Sequence, residues 1–475
     1  MPPTPIKFGT DGWRGIIADD FTFENVRIVA QSTADYLGSV SRSDNGPERA
    51  VFIGYDVRFL SVRFAEAAAE VFAGNGFKVL LMDRPYPTPY VSFEVRRRNF
   101  SGGIVITASH NPPSFNGFKV KAAFGGSAPP EMTSEIEAGL GRSQIRRSTS
   151  GIDKVSPEAH YVRHLKSLLE WDRISESGLH VLVDSMHGSG GMLLEELLSD
   201  TGVTVRTIRG DPDPLFGGVH PEPMMPQLES LATAVVENGC DVGLATDGDA
   251  DRLGVIDRTG QFISTLQVLP LLLLHVYRNR GWGGAVAYTV SQSQLVPRIA
   301  RALGLEAFET RIGFKNIAEL MLRREVLIGG EESGGVGLSR HLPERDGLFV
   351  NLLVLDMLAA TGKSLRQLIE EMWLEFGEFH YERRDLRVPI DAGHRLIDSI
   401  ERQPPQHFAD RKVTAVQTLD GAKLSLEHDS WILFRRSGTE PVLRVYCEAS
   451  GAGQTGELLE AGLQFVEQFT RDGVS

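Results

Sequence analysis

The sequence predicts an α/β protein with mostly parallel sheets that ends in a smaller α+β unit. Three observations carry that prediction. Short apolar, β-branched runs alternate with amphipathic stretches through the first three quarters of the 475-residue chain. Past Phe376 the character changes, and strand-like runs follow one another before one closing helix. The composition, 41% hydrophobic and 23% charged, is that of a globular chain that buries large cores without disulfide or zinc staples.

Taken in order, strands are expected at 50–54, 79–82, 103–107, 181–184, 203–208 and 242–245, with helices at Ser61–Gly74 and 192–201 between them. The apolar stretch 266–277 is too short to span a bilayer and holds Gln267, Pro270 and His275, so it reads as a buried core helix. A Ser/Arg/Gly-rich patch at 141–151 marks the end of a first unit, and the turn sequence DRTG at 257–260 closes a second. The expected units are 1–155, 156–258, 259–375 and 376–475. In the last, strands are expected at 386–390, 412–418, 424–426, 431–435 and 442–447, and a helix at 455–468. No fixed-period repeat or low-complexity segment is visible.

The bulk numbers also exclude function classes. A net charge of −13 repels nucleic acid and anionic membranes, so neither is an expected partner. The N-terminal residues lack a charged-then-apolar signal pattern. Two cysteines, Cys240 and Cys447, lie far apart and outside any CxxC pattern. A cytoplasmic, reducing location is the expectation.

Four stretches carry the chemistry. In ITASHNPP, Ser109 stands at the carboxyl end of a strand, where open α/β sheets place their ligands. Asn111, Pro112 and Pro113 forbid an immediate helix, so this is not a nucleophile elbow; the competing reading is a turn serine bonded to its own backbone. In ATDGDADRLG, Asp247, Asp249 and Asp251 alternate, so an extended segment would turn three carboxylates to one side. Such close like charges call for a hard cation, magnesium, manganese or calcium. Arg252 and Arg258 stand where an EF-hand needs Gly and Glu, so that loop type is excluded; Arg252 suits a phosphate oxygen held by the same cation, and a solvated acidic turn is the alternative. In LFRRSGTEPVLRVYCE, backbone N–H groups and two hydroxyls between strands form an anion nest flanked by Arg435 and Arg436, unless this is a plain hairpin. It has no Gly-Lys-Ser/Thr, so ATP is not implied. In IGGEESGGVG, glycines admit a close ligand, and Glu331, Glu332 and Ser333 suit sugar hydroxyls, or else form a solvated turn. His341 and Arg345 follow at short range. Arg14 in FGTDGWRG and Lys315 in RIGFKNI each put a cation beside bare backbone.

Taken together, TASHNP, DGDADR, GEESGG and RRSGTEP occur in the order and at the kind of spacing found in the α-D-phosphohexomutases, and the chain resembles that superfamily over essentially its whole length. The resemblance implies four domains around a central cleft, three α/β and a smaller C-terminal one. It implies that Ser109 is a phosphoserine that donates and recovers a phosphoryl group. Asp247, Asp249 and Asp251 match Mg2+ ligands, with a Ser109 phosphate oxygen as a further one. Glu331 and Ser333 match readers of sugar hydroxyls, while Arg435, Ser437, Gly438 and Thr439 match the loop that holds the distal phosphate. Arg14 and Lys119 match basic groups at the transferring phosphate, Lys119 being a candidate general acid/base. His110, Asn111 and Arg252 take supporting roles; Lys315 and Arg345 are expected among the substrate-binding residues.

The implied reaction moves a phosphoryl group between the 1- and 6-positions of a hexose phosphate through a hexose 1,6-bisphosphate, with no ATP. The last domain is expected to close over the sugar phosphate and shut out water. TASHNP, where phosphoglucosamine mutases more usually have SASHNP, tilts the sugar toward glucose, then mannose, then glucosamine. GEESGG has Gly335 where many dual-specificity enzymes have His, while HLPERDG resembles the glucose-type pattern and makes His341 a candidate second acid/base. His187 is expected to be structural. A metal-dependent phosphatase and a non-catalytic sugar-phosphate binder are the other classes to separate.

Overall fold

The computed structural model describes residues 6–9, 11–41, 47–156, 158–436 and 441–472. Its sheets follow the alternation in the sequence. The first sheet runs Trp13–Ile16, Phe115–Ala122, Phe100–Ile106, Glu48–Tyr55, Lys78–Met82, Ile152–Val155. The last four of these strands are mutually parallel, and Phe115–Ala122 turns back antiparallel on Phe100–Ile106. The second sheet repeats the plan. Val242–Thr246, His180–Asp184 and Thr204–Ile208 are parallel, and Leu253–Asp257 turns back on Val242–Thr246. In the third, Ala307–Thr310, Ala285–Thr289 and Val326–Gly330 are parallel, and Val336–Gly337 turns back on Val326–Gly330.

This shared plan positions the site. In each of the three sheets, an antiparallel hairpin adjoins the parallel strands at the end of one of them, and its connecting loop carries one of the polar motifs: 107–114, 247–252 and 331–335. The repeat is one of topology and is invisible as a sequence period.

The C-terminal sheet is antiparallel throughout, in the order His380–Arg387, Val442–Ala449, Trp431–Arg436, Ala422–Leu426, Arg411–Gln417, His407–Phe408. One expectation fails here. The strand at 386–390 ends at Arg387, and Pro389 starts an unforeseen helix, Ile390–Arg402, before the closing one at Ala452–Asp472. Proline suits a helix start because the first turn has no use for its N–H. The helix buries Ala392, Leu396 and Ile400, a helical spacing, against the sheet. The helix expected at 192–201 is only Leu193–Leu198.

Side chains set close approaches. A Cβ on Gly103 would meet Val91 Cγ1 at 2.6 Å and Val95 Cγ2 at 2.7 Å, so bare glycine lets the helix Thr88–Arg98 lie against the strand that leads to Ser109. One apolar cluster runs unbroken from Trp13 to Phe379, through the first three units. The C-terminal unit has its own cluster, from Val388 to Val466. Among the described residues, no single helix is long and apolar enough to cross a membrane. Cys240 and Cys447 are buried free thiols.

Candidate active site

The Ser109 loop is held by a buried staple. Thr107 Oγ1 donates to Asp56 Oδ2 at 2.6 Å and accepts from Ser109 N at 2.9 Å. Arg58, 2% exposed, donates from Nη2 to the carbonyls of Ser109 and Asn111 at 2.7 and 2.6 Å, and from Nη1 to those of Pro112 and Phe115 at 2.7 and 2.9 Å. Asp56 Oδ2 accepts Arg58 Nε at 3.1 Å. So held, Ser109 sits at φ 52°, a left-handed conformation that costs a non-glycine residue roughly 1–2 kcal/mol. A Cβ on Gly248 would come within 2.6 Å of the Ser109 carbonyl, so the serine and aspartate loops meet backbone to backbone.

The three aspartates converge, but not by strand alternation. Residues 247–252 form a turn with Ala250 at φ 56°, and Asp247 Oδ1 folds it by accepting the N–H of Asp251 at 2.9 Å and of Arg252 at 3.1 Å. All three side chains are buried, with one oxygen of each within 4.8 Å of the others. Ser109 Oγ donates to Asp247 Oδ2 at 2.8 Å. Burial, with repulsion from Asp249 and Asp251, pushes Asp247 well above the carboxylate range. For Asp249 burial pulls the same way but is outweighed by Lys119 and by the Thr88 hydroxyl at 2.6 Å, so it stays ionised. Asp249 Oδ1 and Asp251 Oδ1 are buried without a hydrogen-bond donor. Buried oxygens that lack a donor, among clustered carboxylates, fit a hard divalent cation.

A ring of cations faces this acid cluster. Lys119 Nζ contacts Asp11 Oδ2, Asp249 Oδ2 and Asp251 Oδ2 at 2.9, 2.8 and 3.1 Å. Burial alone would depress this ammonium, but those three carboxylates hold it above its ordinary range, so it stays charged. Arg345 Nη2 donates to Asp251 Oδ2 at 2.9 Å and Asp11 Oδ2 at 3.2 Å. Glu344 Oε2 accepts Lys121 Nζ and Ser127 Oγ, both at 2.7 Å. These pairs join the first three units at one point.

Arg14 donates to Asn111 Oδ1. His110 Nδ1 lies 3.3 Å from Ser109 Oγ, and burial, with Arg252 and Arg14 nearby, keeps its imidazole neutral. Arg252 Nη1 donates to Glu222 Oε1 at 3.3 Å and to the Ser333 carbonyl at 3.4 Å. Glu331, pushed up by burial, accepts the Gly313 N–H at 2.8 Å and faces Arg345 Nη1 at 3.6 Å.

These groups surround a cavity of about 420 Å³ whose lining includes Arg14, His110, Arg252, Lys315, Glu331, Ser333 and Arg345. Ser109, Asn111 and Lys119 stand behind that wall, in contact with its residues His110, Arg14 and Asp11, and the aspartates lie behind them in turn. Arg435 is one step away: its Nε pairs with Asp420 Oδ2 at 3.0 Å, and the same oxygen accepts the N–H of Ile312, a cavity residue, at 2.9 Å. Ser437, Gly438 and Thr439 lie outside the described residues.

His341 is not brought to the cavity. It is 2% exposed, its Nε2 is 2.7 Å from Asp346 Oδ2, and its Nδ1 is 3.0 Å from His164 Nε2. With both ring nitrogens engaged among Tyr161, His164 and Phe349, it is a structural residue. His187 bonds the Asp211 carbonyl at 2.8 Å.

Sequence reading missed Asp11, Arg58, Thr88, Lys121 and Glu344. Asp11 and Glu344 sat inside quoted motifs, overshadowed by Arg14 and Arg345. Arg58 lies three residues past the strand Glu48–Tyr55, and its place beyond that strand's carboxyl end was the available signal.

A buried serine hydroxyl bonded to a carboxylate cluster, beside a pocket lined by Arg14, Arg252, Lys315 and Arg345, is the kind of site that phosphoryl transfer requires. Family models agree. Those described as phosphoglucomutase/phosphomannomutase alpha/beta/alpha domains I, II and III match residues 5–146, 159–260 and 266–376, and that for the C-terminal domain matches 401–462. A phosphoglucomutase/phosphomannomutase of Thermococcus kodakarensis is 29% identical over 465 residues, covering 97% of this chain and 98% of that one. A phosphoglucosamine mutase of Clavibacter sepedonicus is 31% identical over 457 residues, covering 94% and 95%. The crystal structure of a putative phosphomannomutase from Thermus thermophilus superposes with a TM-score of 0.86 at 36% identity, covering 98% of this chain and all of that one. The chain therefore belongs to the phosphoglucomutase/phosphomannomutase family of the α-D-phosphohexomutase superfamily.

Proposed function

We propose that this protein interconverts the 1- and 6-phosphates of a hexose, with Ser109 as the phosphoryl carrier. The observation that carries the reading is Ser109 Oγ, 2.8 Å from Asp247 Oδ2, on a loop whose carbonyls Arg58 fixes at four points. In the forward step the bond from phosphorus to Ser109 Oγ breaks, and a bond to the sugar hydroxyl oxygen forms. The hydroxyl proton leaves to a base, and neutral His110 is the ring nearest the reacting oxygen. Lys119 and Arg14 offset charge on the moving group. Asp247, Asp249 and Asp251, with a Ser109 phosphate oxygen, would hold Mg2+, which supplies charge neutralisation to the transferring phosphoryl. The bisphosphate then turns end for end and returns its other phosphate to Ser109. Glu331 and Ser333 read the sugar, and Arg435 grips the distal phosphate.

Glucose phosphate stands first on the motif wording, mannose phosphate second. Glucosamine phosphate is a second reading with support of its own, because relatives about as similar bear the name phosphoglucosamine mutase. The deciding experiment assays glucose, mannose and glucosamine 1-phosphates side by side, with Mg2+ and a trace of the matching bisphosphate. Intact mass before and after phosphatase treatment reports the phosphoserine. Turnover of none of the three, or hydrolysis without isomerisation, overturns the proposal.

A further inference from the structure

Strand alternation gathers side chains of the C-terminal sheet onto one face. Arg383 stands opposite Tyr446, and Asp385 opposite Arg444. On the next strand Leu433 stands opposite Tyr446, and Arg435 opposite Arg444. The face has two ends. Its apolar end, Trp431, Leu433 and Tyr446, packs on Val290 of the third unit. Its charged end, Arg383, Asp385, Arg444 and Arg435, leads to the strand terminus from which the phosphate-loop motif departs.

Arg383 joins that end to the sugar-reading loop. Its Nε and Nη2 meet Asp385 Oδ1 and Oδ2 at 2.9 and 3.0 Å, a two-pronged pair that fixes the guanidinium plane. Its remaining nitrogen, Nη1, reaches Glu332 Oε1 at 3.3 Å. Arg444 Nε donates to the same Asp385 Oδ2 at 3.2 Å. Glu332 lies in the chain between Glu331 and Ser333, both of which line the reaction cavity, yet its own carboxylate turns out of that cavity toward Arg383. A separate cavity of about 360 Å³ adjoins the contact, so the Glu332–Arg383 pair bridges the third and fourth units beside open space.

We propose that Arg383 is a positioning residue that couples the sugar-reading loop to the phosphate-gripping end of the C-terminal sheet. A sugar seated on Glu331 and Ser333 displaces Glu332, and the planar fork of Arg383 carries that displacement through Asp385 to Arg444, which stands directly across the ladder from Arg435. This rests on the proposed role of Arg435 in holding the distal phosphate. Lysine, a point charge, cannot reproduce the planar two-pronged pair with Asp385 while reaching Glu332 from a separate nitrogen.

The test is steady-state kinetics of the full-length, Mg2+-loaded enzyme with the hexose 1-phosphate that it turns over fastest. The variants are Glu332→Gln, Arg383→Gln, Arg383→Lys and the double variant Glu332→Gln/Arg383→Gln. Each single change should raise KM about tenfold with kcat within about threefold, and the double should be no worse than the worse single. Arg383→Lys should not rescue KM. If Arg383→Gln does not fold, the near-isosteric Glu332→Gln decides alone. Unchanged KM in Glu332→Gln, or a double variant whose factor is the product of the singles, overturns the coupling. Arg435→Ala separates the two claims: if it raises KM while the Arg383 and Glu332 variants do not, only the coupling fails; if it too leaves KM unchanged, the reading beneath it fails.

Discussion

The first three units and the fourth are built on opposite terms. The first three share one continuous apolar core, and their polar loops are locked together by buried ion pairs among Asp11, Lys119, Lys121, Asp249, Asp251, Glu344 and Arg345. The fourth keeps a core of its own and touches the third through a small apolar seam, through two buried polar contacts, Lys423 with the Val290 carbonyl and Glu309, and the Gln294 N–H with Glu448, and through partly exposed pairs such as Glu332–Arg383. The contrast matches two different tasks. On the proposed reaction, in-line phosphoryl transfer tolerates little misplacement, so the serine proposed as carrier belongs on the rigid side. The same proposal has the substrate accepted in two orientations, which asks for a distal grip that adjusts, and a unit with its own core suits that task.

The largest effect should come from the rigid side. Ser109→Ala should lower mutase turnover by about 10⁴-fold or more, because the covalent carrier is gone rather than weakened. Coupled assay of isomer interconversion checks this, and near-normal turnover would sink the carrier proposal.

Next comes the pH dependence of Mg2+ binding. Asp247 holds its proton above the usual 3.8 because it is buried beside Asp249 and Asp251. A cation must displace that proton, so below the raised pKa apparent affinity should climb by up to about tenfold per pH unit, and above it should level off. The sign follows from binding releasing a proton. Titration calorimetry in two buffers of different ionisation enthalpy measures the proton count. A pH-independent affinity with no proton release would mean that Asp247 is already ionised.

Arg435→Ala tests the adjustable side. It should raise KM about tenfold while kcat changes less, since the distal phosphate is gripped in ground and transition states alike. A fall in kcat with KM unchanged would place Arg435 on the reacting side instead.

The same division decided what could be read from sequence. The aspartate cluster was legible because close carboxylates have few explanations, although its geometry was not: a turn at Ala250, rather than an extended strand, brings the oxygens together. The alternation of parallel strands and helices was legible, because strands buried on both faces are apolar throughout. The hairpin that recurs in all three α/β sheets was not, since topology leaves no residue-level period. Arg58 offered only its place near a strand's carboxyl end, and Thr88 offered no local signal, because their partners at Ser109, Asn111 and Asp249 are 51 or more positions away in the chain. The helix Ile390–Arg402 was hidden behind Pro389, read as the tail of a strand.

His341 gives the smallest kinetic effect and the sharpest distinction between the two kinds of role. A histidine beside HLPERDG invites a chemical reading, yet its ring spans Asp346 and His164. Asp346 in turn caps the helix Gly347–Thr361 by accepting the Phe349 N–H at 3.0 Å, and it takes the Tyr161 hydroxyl. Removing the ring leaves a buried carboxylate short of a partner and a hole beside Phe349, a loss of about 2–4 kcal/mol in stability. His341→Ala should therefore lower the Tm by several degrees while KM and kcat stay within about twofold. Thermal melts and steady-state kinetics on the same preparation read both. A hundredfold loss of kcat at unchanged Tm would put His341 back in the chemistry and would require the cleft to bring it at least one cavity wall closer than its contacts with His164 and Asp346 allow.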